Sequence, residues 1–172
     1  MEALKVLCER RSVRSFKPDM PESEKIDAIL EAAMNAPTGR NMQAPIILAV
    51  TNECVRNELS ELNAKILGTD SDPFYGAPAV LVVLADRSVS THVYDGALVM
   101  GNIMNAAEAL GLGSCWIHRA KEMFDSKEGK TILNRLGIKG DYEGIGNCII
   151  GYPDGEKAQK RPRKSNYVYY IK

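Results

Sequence analysis

Apolar residues recur along this chain with two periods, one typical of helices and one typical of strands. Spacings of three and four residues place apolar side chains on one face of a helix. The sequence therefore predicts helices at Ala3 to Arg10, Pro21 to the residue before Pro37, around Val55 to Ile66, Tyr94 to Leu110 and Lys121 to Leu136. Short runs rich in β-branched and aromatic residues predict strands at 46–51, 79–86, 114–118, 143–153 and 167–171.

Two of these elements carry further information. Residues 79–86 read AVLVVLAD, a continuous apolar run that predicts a fully buried strand. The helix from Tyr94 to Leu110 is apolar around most of its circumference, so we expect it to be buried on all sides. It is too short and too polar to span a bilayer, and we expect a second subunit to supply part of its burial.

The last two predicted strands have features of their own. Gly144 and Gly146 mark either a β-bulge or a place where another group approaches the backbone closely. Residues 167–171, YVYYI, are strong strand formers, so we expect this segment to add to a sheet, its own or a neighbour's. The alternative for the C-terminal tail is a solvated, partly disordered extension.

The order of the elements predicts the fold class. Helices and strands are mixed without strict βαβ alternation, which indicates an α+β fold. With 172 residues, of which 45% are hydrophobic, the chain can form one core, and we expect residues 1–172 to be a single domain.

Charge and cysteine content narrow the functional classes. Lys and Arg together number 22, as do Asp and Glu, so no overall field draws the chain to nucleic acid or to a membrane surface. Four cysteines without a CxxC pair, and no secretory leader pattern, favour the reduced cytoplasm. The two histidines are not spaced with other ligands as in metal sites, so we expect no metal.

A basic cluster near the N-terminus supplies the first candidate chemistry. Three arginines surround a serine, at Arg10, Arg11, Ser12 and Arg14. Guanidinium forks match the oxygens of a phosphate, and a serine hydroxyl adds a further donor. This cluster predicts an anion site; the alternative is a solvated group of arginines at a helix end.

Several segments in a fixed order identify a family. RRSVRSF, NAPTGRNMQAP, GLGSCWI, and GIGNCIIGYP followed by KRPRK occur in sequence along the chain. Together they resemble the flavin-dependent nitroreductase family over nearly the whole chain. The resemblance implies a central, mainly antiparallel sheet flanked by helices, and an intertwined homodimer with FMN at the subunit interface, in which the C-terminal strand adds to the partner's sheet.

The resemblance also implies which residues bind the cofactor. The phosphate and the pyrimidine edge of FMN would be held from both ends of the chain, by Arg10, Arg11, Ser12, Arg14, Arg161 and Arg163. A loop presented to the flavin of the partner subunit would contain Pro37, Thr38, Gly39, Asn41 and Gln43. One face of the flavin ring would lie on Cys115, Trp116, Ile117 and His118.

The sequence departs from the family's pattern at two places, and two of the assigned segments also have a simpler structural interpretation. Gly39 and Arg40 partly replace the family's usual small hydroxyl residues, and His118 and Arg119 stand where larger members commonly carry a carboxylate and a glycine. The loop could be an ordinary Pro/Gly-rich helix stop. Trp116 could be an ordinary core tryptophan.

The function implied by the resemblance is an FMN-dependent oxidoreductase. NADH or NADPH would reduce the flavin, and a nitroaromatic, quinone or related small acceptor would then take the electrons in a ping-pong reaction. No side chain is named as a catalytic acid or base, because the flavin carries the chemistry. The alternatives are a flavin-consuming or reductive-dehalogenating branch of the superfamily and a non-enzymatic flavin-binding redox module.

Overall fold

The computed structural model describes residues 2–172 and has an α+β architecture. In chain order its elements are α1 (Ala3–Glu9), α2 (Ser23–Met34), β1 (Pro45–Val50), α3 (Glu53–Leu67), β2 (Ala79–Asp86), α4 (His92–Ala109), β3 (Gly113–Ile117), α5 (Ala120–Asp125), α6 (Lys127–Arg135) and β4 (Tyr142–Gly151). Within the described residues the strands form one antiparallel sheet in the order β1, β2, β4, β3, which makes β1 and β3 the edges. The predicted class and the antiparallel sheet are confirmed.

Strand β2 forms the centre of the sheet and of the core. Its residues from Ala79 to Ala85 are fully shielded from solvent, because β1 and β4 flank them and helices cover both faces. Alternate side chains of a strand point to opposite faces. Leu81 and Val83 accordingly pack with α2 and α4, whereas Val80 and Val82 pack with α3, α5 and α6. The predicted buried strand is confirmed.

The two glycines of β4 serve both of the purposes that the sequence suggested. The register between β2 and β4 shifts beside Val83, which leaves Ile145 as a bulge between Gly144 and Gly146. A Cβ at Gly144 would lie 2.1 Å from the carbonyl oxygen of Ala120. Glycine at this position therefore lets α5 pack directly on the strand.

Helix α4 is buried on one side in this chain. Met100, Ile103 and Ala107 are fully buried against the sheet and α2, but Tyr94 is 73% exposed and Leu98 is 48% exposed. No element within residues 2–172 covers this face, so the burial expected from a second subunit stays a prediction. Among the described residues no helix has the length and apolarity needed to cross a bilayer.

Two predicted helices have different boundaries in the structure. The helix expected from Pro21 begins at Ser23. The helix expected over 121–136 is divided at Ser126, whose backbone is extended. The Ser126 hydroxyl accepts a hydrogen bond from Gly129 N at 3.0 Å and so begins a new helix. A Cβ at Gly129 would lie 2.0 Å from the carbonyl oxygen of Met123, so glycine allows the sharp turn.

The C-terminal tail extends over the surface. Residues 153–172 are exposed, and a short 3-10 turn spans Ser165–Tyr167. Among residues 2–172 the segment 167–171 pairs with no strand, so the expectation that it joins its own sheet is wrong. Tyr170 and Ile171 are 85% and 98% exposed. Addition to a neighbour's sheet stays a prediction.

Candidate functional site

The N-terminal arginine cluster lies along the open edge of β3. Val13 N donates to the carbonyl oxygen of Ser114 at 3.0 Å, and Ser12 forms a parallel bridge with Ser114. A Cβ at Gly113 would lie 2.9 Å from the side chain of Val13, so glycine there permits this close approach. The edge pairing therefore fixes where the arginines on either side of it leave the backbone.

Arg10 and Arg11 have different surroundings although they are adjacent. Arg11 Nη1 donates to the carbonyl oxygens of Cys8 at 3.0 Å and of Arg10 at 2.6 Å, where α1 ends. A cation there satisfies free carbonyl groups and complements the helix dipole. Arg10 Nη1, in contrast, is buried and has no partner among residues 2–172. The structure thus separates a helix-capping arginine from one with a free donor.

Beyond Val13 the edge of β3 is open. Ser114 presents its carbonyl group to the N-terminal segment, and backbone groups alternate along a strand, so the N–H and C=O of Trp116 point to the same edge. There they face a cavity of about 220 Å³. Its lining includes Arg14, Tyr75 and the residues from Cys115 to Arg119. The cavity therefore combines cationic, aromatic and backbone donor groups.

Arg14 also borders a second, larger cavity of about 490 Å³. Ser12 and the chain from Pro153 to Ala158 contribute to the lining of that cavity. Arg14 is exposed and lies where the two cavities adjoin. The structure thus places Ser12, Arg14 and the end of β3 around two adjoining cavities, and their role toward a cofactor stays a prediction.

The side chains of β3 alternate between the core layers on the two faces of the sheet. Cys115 and Ile117 are 2% and 6% exposed and belong to the core beneath β2. Trp116 points to the other face, where a Cβ at Gly146 would lie 2.5 Å from its Nε1 atom. That Nε1 atom is buried and has no partner among the described residues. Burial raises the pKa of the neighbouring Cys148 thiol far above its ordinary value.

Two buried asparagines fix the turn that follows β3. Asn63, fully buried, donates through Nδ2 to the carbonyl oxygen of His118 at 2.9 Å and accepts through Oδ1 from Arg119 Nε at 3.0 Å. Asn147 Nδ2 lies 3.4 Å from the same His118 oxygen. Arg119 itself has a left-handed backbone, with φ of 75°. The asparagines hold a backbone shape that an arginine rarely adopts.

The opposite wall of the smaller cavity is a turn organised by Asp72. Its carboxylate accepts hydrogen bonds from the side chains of Arg56 and Ser60, from Phe74 N at 2.8 Å and from Gly76 N at 2.7 Å. Burial raises the pKa of Asp72, but these hydrogen bonds outweigh burial, so the pKa lies below its ordinary value. Arg56 therefore neutralises the charge of Asp72, and the four hydrogen bonds rigidify the turn that carries Tyr75.

The loop from Pro37 to Gln43 lies elsewhere in the chain. It borders a groove of about 800 Å³ with α2 and β1, and this lining shares no residue with the cavities at Arg14. Arg40, Asn41 and Gln43 have left-handed backbones, with φ of 51°, 56° and 50°. A role of this loop toward the cofactor of a partner subunit stays a prediction.

Arg161 and Arg163 lie on the exposed tail. Neither forms a hydrogen bond or an ion pair with another residue in the range 2–172. Nearer its start, the tail is tied to α4 by an ion pair between Lys157 and Glu108. The assignment of the two arginines to the phosphate stays a prediction.

Sequence reasoning missed the polar residues that support the site. They are Arg56, Asn63, Asp72, Asp95 and Asn147, and all except Asp72 are buried. The sequence does mark Asp95, because a carboxylate inside an apolar helix needs a polar partner. No such signal was present for Asn63, because a polar residue in a charged amphipathic helix is ordinarily solvated.

Comparison with known proteins agrees with this geometry. The model of the nitroreductase family matches residues 7–69 and 65–152. An Archaeoglobus fulgidus protein named "Putative NADH dehydrogenase/NAD(P)H nitroreductase" is 31% identical over 164 residues, which cover 91% of this chain and 88% of that protein. A Bacillus subtilis protein named as an FMN reductase acting with NAD(P)H is 26% identical, with 94% of this chain and 70% of that protein covered.

Solved structures extend the comparison to the fold. A Bacteroides fragilis nitroreductase with bound FMN superposes with a TM-score of 0.91 at 25% identity, and all of both chains is covered. A Desulfitobacterium hafniense nitroreductase with bound FMN gives a TM-score of 0.87 at 29% identity, with 99% of this chain and 100% of that chain covered. The likeness therefore extends over the whole fold and includes the region around β3.

Proposed function

This chain belongs to the nitroreductase family, and from that premise we propose that it is an FMN-dependent oxidoreductase that uses NADH or NADPH to reduce small electron acceptors. Nitroaromatic compounds and quinones are the acceptors we expect. Two relatives that align with most of this chain support the proposal, since one is named as an NAD(P)H nitroreductase and the other as an FMN reductase.

The observation that carries the proposal is the unpaired donor of Arg10. A buried guanidinium nitrogen without a partner is costly, and an anionic ligand would satisfy it. Ser12 lies two residues further on, at the bridge to β3. These donors suit the phosphate of FMN, and the tail residues Arg161 and Arg163 would add charge to the same group. Arg11 is left to cap α1.

The smaller cavity suits the flavin ring. The open edge of β3 offers the Trp116 amide as a donor, and Arg14 offers a positive charge toward the pyrimidine end. When bound, FMN accepts a hydride from the nicotinamide and passes the electrons to the acceptor. Arg14 would favour the negative charge that develops on reduction, and the Trp116 amide would orient the ring. A single open cavity used in turn by both substrates gives ping-pong kinetics.

A homodimer completes this proposal. The exposed apolar residues of α1 and α4 include Leu4 at 69%, Leu7 at 60% and Tyr94 at 73%. Large apolar side chains exposed on two helices would be buried in such an interface. The loop from Pro37 to Gln43 lines a groove that shares no residue with the cavities at Arg14, so in a dimer it would be available to the partner's cofactor.

The absorbance spectrum of the protein as isolated tests the proposal directly. We expect oxidised flavin bands that bleach when NADH or NADPH is added without oxygen and return when a quinone or nitrofurazone follows. Added FMN at a hundred times its Kd should stabilise the fold by about 2.7 kcal/mol. A colourless protein that FMN does not stabilise would refute the proposal.

A further inference from the structure

One carbonyl oxygen just beyond β3 is held by two buried asparagines from different elements. Asn63 in α3 donates through Nδ2 to the His118 oxygen at 2.9 Å, and Asn147 Nδ2 in β4 lies 3.4 Å from the same oxygen. Both asparagines are fully shielded from solvent, whereas His118 is exposed. Burying a polar side chain costs stability unless its hydrogen bonds are made. The fold therefore places two buried amides on one peptide group of a surface turn.

Asn63 also holds the residue that follows. Its Oδ1 atom accepts from Arg119 Nε at 3.0 Å, so two consecutive residues of the turn engage both ends of one side-chain amide. The φ of 75° at Arg119 is a left-handed conformation that is unfavourable for residues other than glycine. Asn63 thus keeps the turn in a shape that its own residues disfavour.

The direction of the Arg119 N–H group follows from the held carbonyl group. The peptide bond between His118 and Arg119 is trans and planar, so its C=O and N–H bonds point in opposite directions. Because the His118 carbonyl group points to Asn63 and Asn147, the Arg119 N–H group points away from them. This N–H group has no hydrogen-bond partner among residues 2–172. His118 and Arg119 line the smaller cavity, and the two asparagines do not.

We propose that Asn63 is a positioning residue of the reaction. By holding the His118 carbonyl group inward, it presents the Arg119 N–H group to the smaller cavity as a hydrogen-bond donor, beyond the donor that the Trp116 amide supplies. The inference rests on the proposed function, in which this cavity takes the flavin ring. Two donors at fixed positions set the angle of the ring and stabilise the charge that reduction adds to it.

Three substitutions separate positioning from stability alone. Asn63→Ala frees the His118 carbonyl group, and Asn147→Ala loosens the same group from the side of β4 and replaces the first variant if that one folds poorly. Asn102→Ala is the matched control. Asn102 Nδ2 also donates to a backbone carbonyl oxygen, that of Ala32 at 2.8 Å, but it links α4 to α2. Urea unfolding measures how much stability each variant loses.

The rate at which NADH reduces the FMN-loaded protein without oxygen is the first readout. We expect the rate at saturating NADH to fall about tenfold in Asn63→Ala and less in Asn147→Ala, because the ring is oriented less well. Asn102→Ala should be reduced as fast as the wild type, whatever stability it loses. Equal rates in Asn63→Ala and Asn102→Ala would overturn the inference and leave Asn63 with a structural role only.

Amide hydrogen exchange followed by NMR reports on the donor itself, without turnover. We expect added FMN to slow exchange of the Arg119 N–H about tenfold or more in the wild type and in Asn102→Ala, and much less in Asn63→Ala. Equal protection of Arg119 in all three proteins would overturn the inference. Protection of the Trp116 amide without protection of Arg119 would overturn it as well, and would leave the proposed function intact. A wild-type protein in which FMN protects no amide would refute the proposed function, and the inference with it.

Discussion

Asp95 in α4 accepts a hydrogen bond from the backbone N–H of Gly39, with 2.9 Å between Gly39 N and Asp95 Oδ1. The other carboxylate oxygen accepts from Thr91 Oγ1 at 2.9 Å, and Asp95 is 3% exposed. A Cβ at Gly39 would lie 2.4 Å from Thr91 Oγ1, so the contact requires glycine. A buried carboxylate thus fixes the start of the loop that ends at Gln43.

Replacing Asp95 should loosen this loop. Asp95→Ala leaves Gly39 N unpaired, which should lower the free energy of unfolding by about 1–3 kcal/mol. If the loop serves the partner's cofactor, FMN affinity should fall as well. Urea unfolding and FMN titration measure the two effects. Asp95→Asn is the control, because its carbonyl oxygen still accepts from Gly39; equal effects of Asn and Ala would contradict the assignment.

Arg10 and Arg11 provide a matched pair for the phosphate site. Arg10→Ala should weaken FMN binding by about 1.5–3 kcal/mol, because a charged hydrogen bond is lost. Arg11→Ala should instead reduce the stability of α1, whose terminal carbonyl groups it caps, and leave FMN affinity nearly unchanged. Isothermal titration with FMN measures both. A larger loss of affinity in Arg11→Ala than in Arg10→Ala would reverse the two roles.

The exposed face of α4 tests the subunit interface. Leu98 is 48% exposed in the single chain, so Leu98→Glu should cost little in an isolated chain but disrupt a dimer that buries this face. Sedimentation analysis should show a shift from dimer to monomer. Leu136, 45% exposed beyond the end of α6, supplies the control Leu136→Glu, which should stay dimeric. A Leu98→Glu protein that remains fully dimeric would place the interface elsewhere.

Stability at low pH should depend on Glu22. The Tyr152 hydroxyl donates to its carboxylate, and Lys25 Nζ lies 3.1 Å from the same group. The Tyr152 hydrogen bond, a backbone hydrogen bond and the Lys25 hydrogen bond lower the pKa of Glu22 from 4.5 to about 2. A lowered pKa in the folded state means that the contribution is present above pH 4.5 and is lost as the pH falls toward 2.

Glu22→Gln should therefore flatten the decline of stability in that pH range. Urea unfolding at a series of pH values measures it, because the carboxylate ties α2 to Tyr152 at the end of β4. Glu31→Gln, on the exposed side of the same helix, should leave the decline as in the wild type. An identical pH dependence in all three proteins would show that the Glu22 contact contributes nothing in solution.

Most of the fold was predictable because periodicity is local. Each strand of the sheet and the helices α1 to α4 agree with the spacing of apolar residues, and the buried run of β2 needed no knowledge of its neighbours. The errors are where local signals compete. Ser126 divides one predicted helix into two. Residues 167–171 have the composition of a strand but pair with no strand in the described part of the chain.

The candidate site was predictable in part. The order of motifs predicted cofactor roles for Arg10, Ser12, Arg14 and residues 115–118. The structure shows Ser12 bridged to β3 and Arg14 beside the end of β3, and the roles themselves stay predictions. The sequence could not distinguish the helix-capping Arg11 from Arg10 with its unpaired donor, because their surroundings depend on where each side chain leaves the end of α1.

The sequence by itself determined the class of fold and the family, since these follow from residue type, spacing and the order of motifs. Only the tertiary structure decided that Asp95 holds Gly39 and that Asn63 directs Arg119, since each pair is 56 positions apart along the chain. Hydrogen bonds act over about 3 Å, so such partners are set by packing and cannot be seen in local pattern.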